Sequence, residues 1–207
     1  MDTCKITALK QGVKNPDRVN VFMDDKFSFS LDVSQVVDFG IKVGMEVSDA
    51  DVFEFKKASE FGKLYQRTLE WVLVRPRSIR ETSDYLYKKI FEKKLDKNYI
   101  DRIIEKLEDK KYLDDYKFAE YYVENRFLKK GISLKRLKME LMKKGVSKDV
   151  IEEVLAGSSR DEKEEILKVI SKKRKKYDDE KLIVYLCRQG FPYDLVRELV
   201  LESSEMD

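Results

Sequence analysis

The chain of 207 residues contains no histidine, only two cysteines and only three prolines. The missing histidines remove the commonest general base and the commonest metal ligand of proteins. Cys4 and Cys187 lie far apart in unlike contexts, which fits neither a disulfide framework nor a zinc site and predicts a reducing environment. The sequence also lacks a P-loop and a GxGxxG pattern. We therefore expect no enzyme, no metal site and no cofactor.

Long apolar runs are missing as well. No stretch is apolar enough to cross a membrane, and the first residues lack the apolar segment of a signal peptide. Charged residues make up 40% of the chain, which fits helices that each expose a wide polar face, while the net charge is only +3. We expect a cytoplasmic protein with neither a membrane nor a small-molecule partner.

A short phrase recurs in the second half of the chain. It reads LMKKGVSKDVIEEVL around Leu141 and LCRQGFPYDLVRELV around Leu186, with Gly145 and Gly190 at matching positions (190 − 145 = 45). A looser version lies upstream, ending at Leu107. Self-similarity at a period of roughly 40–50 residues predicts stacked helical units. Such units usually present an extended surface to a large partner.

The first part of the chain follows a different pattern. Apolar and polar residues alternate over Arg18–Met23 and Phe27–Leu31, with the polar turn Asp24–Lys26 between them. Alternation on both sides of a tight turn predicts a β-hairpin. Cys4–Leu9 is predicted to add a third strand, and Val33–Phe39 to form a short helix.

From Ser48 onwards, apolar residues at spacings of three and four predict nine helices. Ser78 and Glu81 are predicted to form a reciprocal capping box before one helix, and Gly131 to end another helix that begins at Asp114. Ser133 and Ser147 are predicted to cap the next two helices, and Gly145 to end the first of those two. The buried faces of the helices are predicted to include Phe53, Phe127, Met142 and Leu167.

These patterns predict a mainly α fold, with tandem three-helix repeats forming an elongated curved array and a small N-terminal β-hairpin-containing domain. The predicted divisions are an N-terminal β-rich cap over 1–48 and helical repeats over 49–111, 112–157 and 158–207.

Two pairs of acids need an explanation, because adjacent carboxylates can bind a metal. Asp114–Asp115 and Asp178–Asp179 both stand where helices are predicted to start. Carboxylates at helix N-termini accept hydrogen bonds from free amides and complement the helix dipole. We therefore interpret both pairs as caps.

Basic residues are concentrated in three clusters at comparable repeat positions. Between Lys129 and Lys148 the only acid is Glu140, a second cluster follows at 172–176, and a third contains Arg75, Arg77 and Arg80. Such clusters are often ordinary solvated helix faces, but three of them favour an anionic partner, either nucleic acid or an acidic protein. The candidate contact residues are Arg75, Arg77, Arg80, Arg126, Lys129, Lys130, Lys135, Arg136, Lys138, Lys143, Lys144, Lys172, Lys173, Arg174, Lys175 and Lys176.

The segment from Tyr112 to Gly131 resembles the central signature of the bacterial RecX regulators. Arg75–Ser78 and Leu141–Val146 are also similar to that family, and the strand-rich N-terminal part resembles its longer members. Pro192 departs from the repeat, since the second repeat has Ser147 there, and this affects only the cap expected at that position. The structural signature comprises Tyr112, Leu113, Asp114, Asp115, Phe118, Ala119, Gly131, Gly145 and Gly190.

This resemblance implies a function that composition does not show. RecX proteins bind the RecA recombinase, chiefly its filament on single-stranded DNA, and modulate its ATPase, strand-exchange and coprotease activities, usually downward. For this chain we expect RecA filaments as the partner, weak or indirect contact with single-stranded DNA, and a monomer. We expect Tyr112, Leu113 and Phe118 to hold the first repeat against the second, and Arg126 to serve either packing or partner binding.

Two other functions fit the repeat and the charge pattern without the resemblance. One is a helical-repeat adaptor for another protein, which would bind its partner in the absence of a filament. The other is an autonomous DNA-binding protein, which would bind DNA tightly and leave RecA turnover unchanged.

Overall fold

The computed structural model describes residues 3–13 and 15–205. Its described strands are β1 (Thr3–Gln11), β2 (Arg18–Met23), β3 (Lys26–Asp32) and β4 (Glu46–Ser48). Its described helices are α1 (Val33–Asp38), α2 (Asp49–Leu73), α3 (Ile79–Lys93), α4 (Tyr99–Asp109), α5 (Asp115–Asn125), α6 (Leu134–Lys143), α7 (Lys148–Gly157), α8 (Glu162–Lys173), α9 (Asp179–Arg188) and α10 (Tyr193–Glu205). The mainly helical fold with a small N-terminal sheet is thus confirmed.

The chain divides into two compact units. Among the described residues, the first unit contains 3–71 and 89–103, and the second contains 72–88 and 104–205. The division into an N-terminal cap and three repeats stays a prediction.

The first unit contains an antiparallel sheet with the strand order β3-β2-β1-β4. Asp24 and Asp25 have φ angles of 46° and 64° between β2 and β3, the backbone that a two-residue hairpin turn requires. The hairpin, the third strand β1 and the short helix α1 were predicted from the sequence. Strand β4 was missed, because three residues are too few to show an alternating pattern.

The core of the first unit lies between the sheet and α2. Ile6, Leu31 and Val47 of the sheet are fully or almost fully buried together with Phe55 of α2. Removing such side chains from water is the main source of stability in a small domain. A Cβ atom at Gly62 would come within 2.7 Å of the Asp32 carboxylate, so glycine lets α2 approach this part of the sheet.

In the second unit, two apolar clusters repeat the same arrangement. Leu141 and Ile151 are fully buried in the cluster of α5, α6 and α7. Leu186 and Val196, which match them in the recurring phrase, are fully buried in the cluster of α8, α9 and α10. The recurring phrase therefore encodes equivalent core positions.

Helix-ending glycines lie against the start of another helix in this unit. Gly145 and Gly190 have φ angles of 87° and 94°, a conformation that favours glycine at a helix C-terminus. A Cβ atom would come within 2.7 Å of the Arg80 Cβ at Gly145 and within 2.9 Å of the Ser133 Oγ at Gly190. The Ser133 hydroxyl also donates to the backbone oxygen of Gln189 over 2.7 Å. These glycines thus both end a helix and permit close packing.

Some predicted core positions were wrong. Helix α5 ends at Asn125 rather than near Gly131, so Phe127 leaves the helical stripe and adopts a φ of 48° in the following turn. This turn is where the chain begins to pack on α8. Large exposed fractions are found for Phe53 (58%), Met142 (52%), Leu167 (46%) and Tyr112 (43%).

Of the two hydrogen bonds predicted for the capping box at α3, only one is present. The Ser78 hydroxyl accepts from the Glu81 amide over 3.0 Å. The Glu81 carboxylate instead accepts from Lys144 and Arg75, because two cations offer it stronger bonds than one amide. Asp114, Ser133, Ser147 and Asp178 cap their helices as predicted.

The helices seen in the described residues include none with the length and apolar character that crossing a membrane would need.

Candidate functional site

A concave surface of about 570 Å³ in the second unit collects basic side chains from two of the three predicted clusters. We call it the basic groove. The charged residues that line it are all cationic: Lys129, Lys130, Arg136, Lys172 and Lys173. They come from the turn after α5, the start of α6 and the end of α8. A concave surface lined by positive charges attracts anions more strongly than an open surface with the same charges does.

The turn after α5 is fixed to α8 by backbone contacts. Gly131 has a φ of 79° and packs directly on the backbone oxygen of Glu165 and the side chain of Val169. The next amide, that of Ile132, donates to the Glu165 carboxylate over 2.8 Å. Ser133 then caps α6 by accepting from the Arg136 amide over 3.2 Å. Together these contacts place Lys129 and Arg136 on the same groove.

A buried ion pair supports that turn. The side chains of Arg160 and Glu165 lie 3.1 Å apart and are only 6% and 2% exposed. Arg160 also donates to the backbone oxygens of Val123 and Arg126, each over 2.6 Å. This pair was not predicted from the sequence, because neither residue belongs to a motif and the two become partners only after folding.

Aromatic and apolar side chains line much of the rest of the groove, together with Gly131, Ser133 and Gln189. Ile132, Val169 and Phe191 are buried residues at its base. Phe127 and Tyr185 line it as well. Planar rings next to cations are typical of surfaces that bind single-stranded nucleic acid. Tyr185 was not predicted as a site residue, and Phe127 was assigned to the core.

The two aromatic rings are held by neighbouring side chains. The Tyr185 ring stacks on Tyr177 with a centroid distance of 5.5 Å, and the Lys173 Nζ lies 5.5 Å from its centroid. The guanidinium carbon of Arg126 lies 3.8 Å from the centroid of Phe127. The Lys130 Nζ lies 5.7 Å from the same centroid. Each ring therefore has a cation beside it.

Glu140 organises the cations between α5 and α6. Its carboxylate accepts from Arg126 and Tyr122 over 2.6 Å each and from Arg136 over 3.2 Å. Burial alone would raise the pKa of Glu140, but these hydrogen bonds outweigh it and lower the pKa to about 2. Burial and the bond to Glu140 raise the pKa of Tyr122 to about 12. Arg126 thus joins the end of α5 to α6 through Glu140, and Arg136 also donates to the Gln189 side chain over 2.6 Å.

Other predicted contact residues are engaged in ion pairs within the protein. Lys138 lies 2.7 Å from Glu152, and Arg174 lies 2.5 Å from Asp179. Arg75 and Lys144 both contact Glu81. These residues hold elements of the fold and do not line the basic groove.

The remaining predicted residues lie elsewhere on the surface. Lys135 and Lys143 line a smaller concave region of about 430 Å³ that also includes Arg136. Arg80, Lys175 and Lys176 are exposed, and Arg77 is half-buried.

Comparison with known proteins identifies the family. A model of the regulatory protein RecX N-terminal domain matches residues 4–48, and a model of the RecX second three-helix domain matches residues 114–155. The chain is 34% identical to the regulatory protein RecX of Bacillus velezensis over 212 residues, covering 98% of this chain and 78% of that protein. It is 35% identical to the regulatory protein RecX of Bacillus subtilis over 201 residues, covering 92% and 74%.

Solved structures share this fold. A crystal structure of regulatory protein RecX superposes with a TM-score of 0.71 and 22% identity, covering 96% of this chain and 99% of that one, which supports the fold. The crystal structure of RecX from Lactobacillus salivarius gives a TM-score of 0.54 and 26% identity, covering 70% and 97%. The chain belongs to the RecX family of regulatory proteins, as its sequence signature predicted.

Proposed function

We propose that this protein binds RecA filaments on single-stranded DNA and lowers the ATPase, strand-exchange and coprotease activities of RecA. The main support is the similarity to regulatory RecX proteins over almost the whole chain. Binding a filament requires an extended surface rather than an enclosed cavity, and tandem helical units provide such surfaces. The protein acts in the cytoplasm, as a monomer and without catalysis of its own.

In this proposal the basic residues fall into two groups. Lys129, Lys130, Lys172 and Lys173 of the groove contact the anionic surface of the filament. Lys129 and Lys172 have no carboxylate partner among the described residues, so their charges are available to a partner. Ion-paired residues such as Arg126 keep the helices in place and contribute less to binding, because their charges are already neutralised.

The test is the ATPase rate of RecA on single-stranded DNA as this protein is titrated in. The wild-type protein is expected to lower the rate. A variant with Lys129, Lys130, Lys172 and Lys173 replaced by glutamine is expected to require a higher concentration for the same effect. The control replaces Lys88 and Lys117, which are exposed lysines of the same unit that do not line the groove.

Three results would contradict the proposal. A RecA rate that stays constant at every concentration would exclude RecA regulation. Tight DNA binding without an effect on RecA would favour an autonomous DNA-binding protein. If the groove variant and the control lost the same amount of RecA inhibition, a specific role of the groove would be excluded.

A further inference from the structure

The basic groove combines two features that suit different parts of one ligand. Its base is apolar, with Ile132, Val169 and Phe191 buried there and with the rings of Phe127 and Tyr185 beside them. Its charged lining residues are cations and include no carboxylate among the described residues. A ligand that fills such a groove has a flat apolar ring and carries negative charge close to that ring.

We propose that the groove is a binding site for one unstacked nucleotide, with its base against Phe127 and Tyr185 and its phosphates against the surrounding lysines. This inference deepens the proposed function, on which its biological setting rests, by naming what the groove holds. The nucleotide belongs either to a single strand of nucleic acid or to a free nucleoside phosphate, since both present the same chemistry.

The positions of the aromatic rings favour a base over an acidic peptide. Phe127 is an aromatic residue with a φ of 48°, a backbone conformation that is costly for a bulky side chain and is often found at functional sites. This conformation places Phe127 at the groove rather than in the helical core. Tyr185 stacks on Tyr177, which restricts the orientations that its ring can adopt. Fixed rings suit the flat face of a base.

The cations are placed to contact phosphate groups. Lys129 and Lys130 lie on the turn after α5, and Lys172 and Lys173 lie at the end of α8. These positions are on two different elements that border the same concave surface. An acidic peptide would be attracted by the same charges, but its carboxylates would gain nothing specific from the two rings.

The experiment measures binding of the full chain to a fluorescent oligothymidylate by anisotropy, without RecA. A strand of equal length that consists of abasic sites provides the comparison, because it retains the phosphates and lacks the bases. Tyr185→Leu and Phe127→Leu remove a ring and leave the charges intact. Tyr193→Leu is the matched control, because Tyr193 is an exposed tyrosine of the same unit that does not line the groove.

Each ring variant is expected to weaken oligothymidylate binding by roughly tenfold, which is the usual effect of losing one stacked base. Its binding to the abasic strand and its salt dependence are expected to equal those of the wild type. Replacing the four groove lysines by glutamine is expected to reduce the slope of log K against log salt concentration by about 1.4, since a bound nucleotide has two flanking phosphates and each neutralised phosphate contributes about 0.7. Thermal melts of each variant serve as the check that it is folded.

Competition identifies the source of the nucleotide. Displacement of the strand by ATP at similar phosphate concentration would support the site and assign it to free nucleotides. Displacement by unlabelled oligothymidylate alone would support the site and assign it to single strands.

Three results would overturn the inference. The first is that a ring variant loses the same affinity for the abasic strand as for oligothymidylate. The second is that neither ring variant loses affinity for oligothymidylate. The third is that polyglutamate displaces the labelled strand as efficiently as unlabelled oligothymidylate does. The failure of the proposed function is separate, because it would appear as an unchanged RecA ATPase rate while base-dependent binding persists.

Discussion

Replacing Glu165 tests whether a buried ion pair holds the turn that carries the groove lysines. Glu165→Ala leaves the guanidinium of Arg160 buried without its carboxylate at 3.1 Å, and leaves the amide of Ile132 without its acceptor at 2.8 Å. Removing one member of a buried pair costs about 3–5 kcal/mol. The orphaned amide adds about 1–3 kcal/mol, and the two effects overlap because both groups contact one carboxylate. We expect a loss of about 4 kcal/mol in the free energy of unfolding.

The assay is urea denaturation followed by circular dichroism at helix wavelengths, with stability obtained from the midpoint and the slope. The control is Glu198→Ala. Glu198 pairs with Lys163 over 3.6 Å, and both side chains are about half exposed. The control is expected to cost less than about 0.5 kcal/mol. If Glu165→Ala cost no more than the control, water would have to reach the pair, and the reasoning from burial would be refuted.

Three further predictions concern the second unit. The pKa of Glu140 is lowered from 4.5 to about 2 in the folded protein, so its carboxylate stabilises the fold fully above pH 4.5. In thermal melts, the difference in stability between wild type and Glu140→Gln should therefore shrink as the pH falls towards 2. Gly145→Ala should lower the free energy of unfolding in urea by about 2 kcal/mol, because the residue has a φ of 87° and its new Cβ would clash with Arg80. Gly157→Ala, with open space around it, should be neutral or stabilising. Equal effects of the two substitutions would refute this prediction. Asp115→Ala should cost about 1 kcal/mol in thermal melts by removing the acceptor of the Ile79 amide at 2.9 Å, while Asp115→Asn, which keeps an acceptor oxygen, should retain stability.

Local structure could largely be predicted from the sequence. Asp114 and Ser133 cap their helices as predicted, because a cap depends on residues only two or three positions away. The same holds for Gly145, whose positive φ follows from ending a helix. Core positions such as Leu141 and Ile166 matched, whereas Met142 and Leu167, each one position after a buried residue, are about half exposed.

Contacts between distant residues could not be predicted in this way. Asp115 was expected to act on its own helix, but its carboxylate accepts from Ile79, which is 36 positions away. Phe127 was assigned to a buried stripe, because its spacing continues the helix that in fact ends at Asn125. Both errors arise because tertiary packing decides where a chain turns, and a single sequence records that packing only indirectly.

The candidate site shows the same limit. The basic clusters were recognisable from composition, and Lys129 and Lys172 do line one groove. Composition did not separate them from Arg174, whose charge is paired with Asp179. The aromatic contribution of Tyr185 depends on how α9 packs beside α8, which no local pattern encodes.

The contact of Gly190 with Ser133 has a consequence for how proteins of this kind change in length. The same type of contact, a glycine after one helix against the first turn of another, occurs between Gly145 and Arg80. Because the packing contact is equivalent in both places, a duplicated three-helix unit could pack through the same contact. At α9 the equivalent serine is replaced by Asp178, which bonds to the amide and the ammonium group of Lys181 within its own helix. A carboxylate there has no hydroxyl proton to donate, so a unit packed against α9 would lack the bond that Ser133 makes to the backbone oxygen of Gln189.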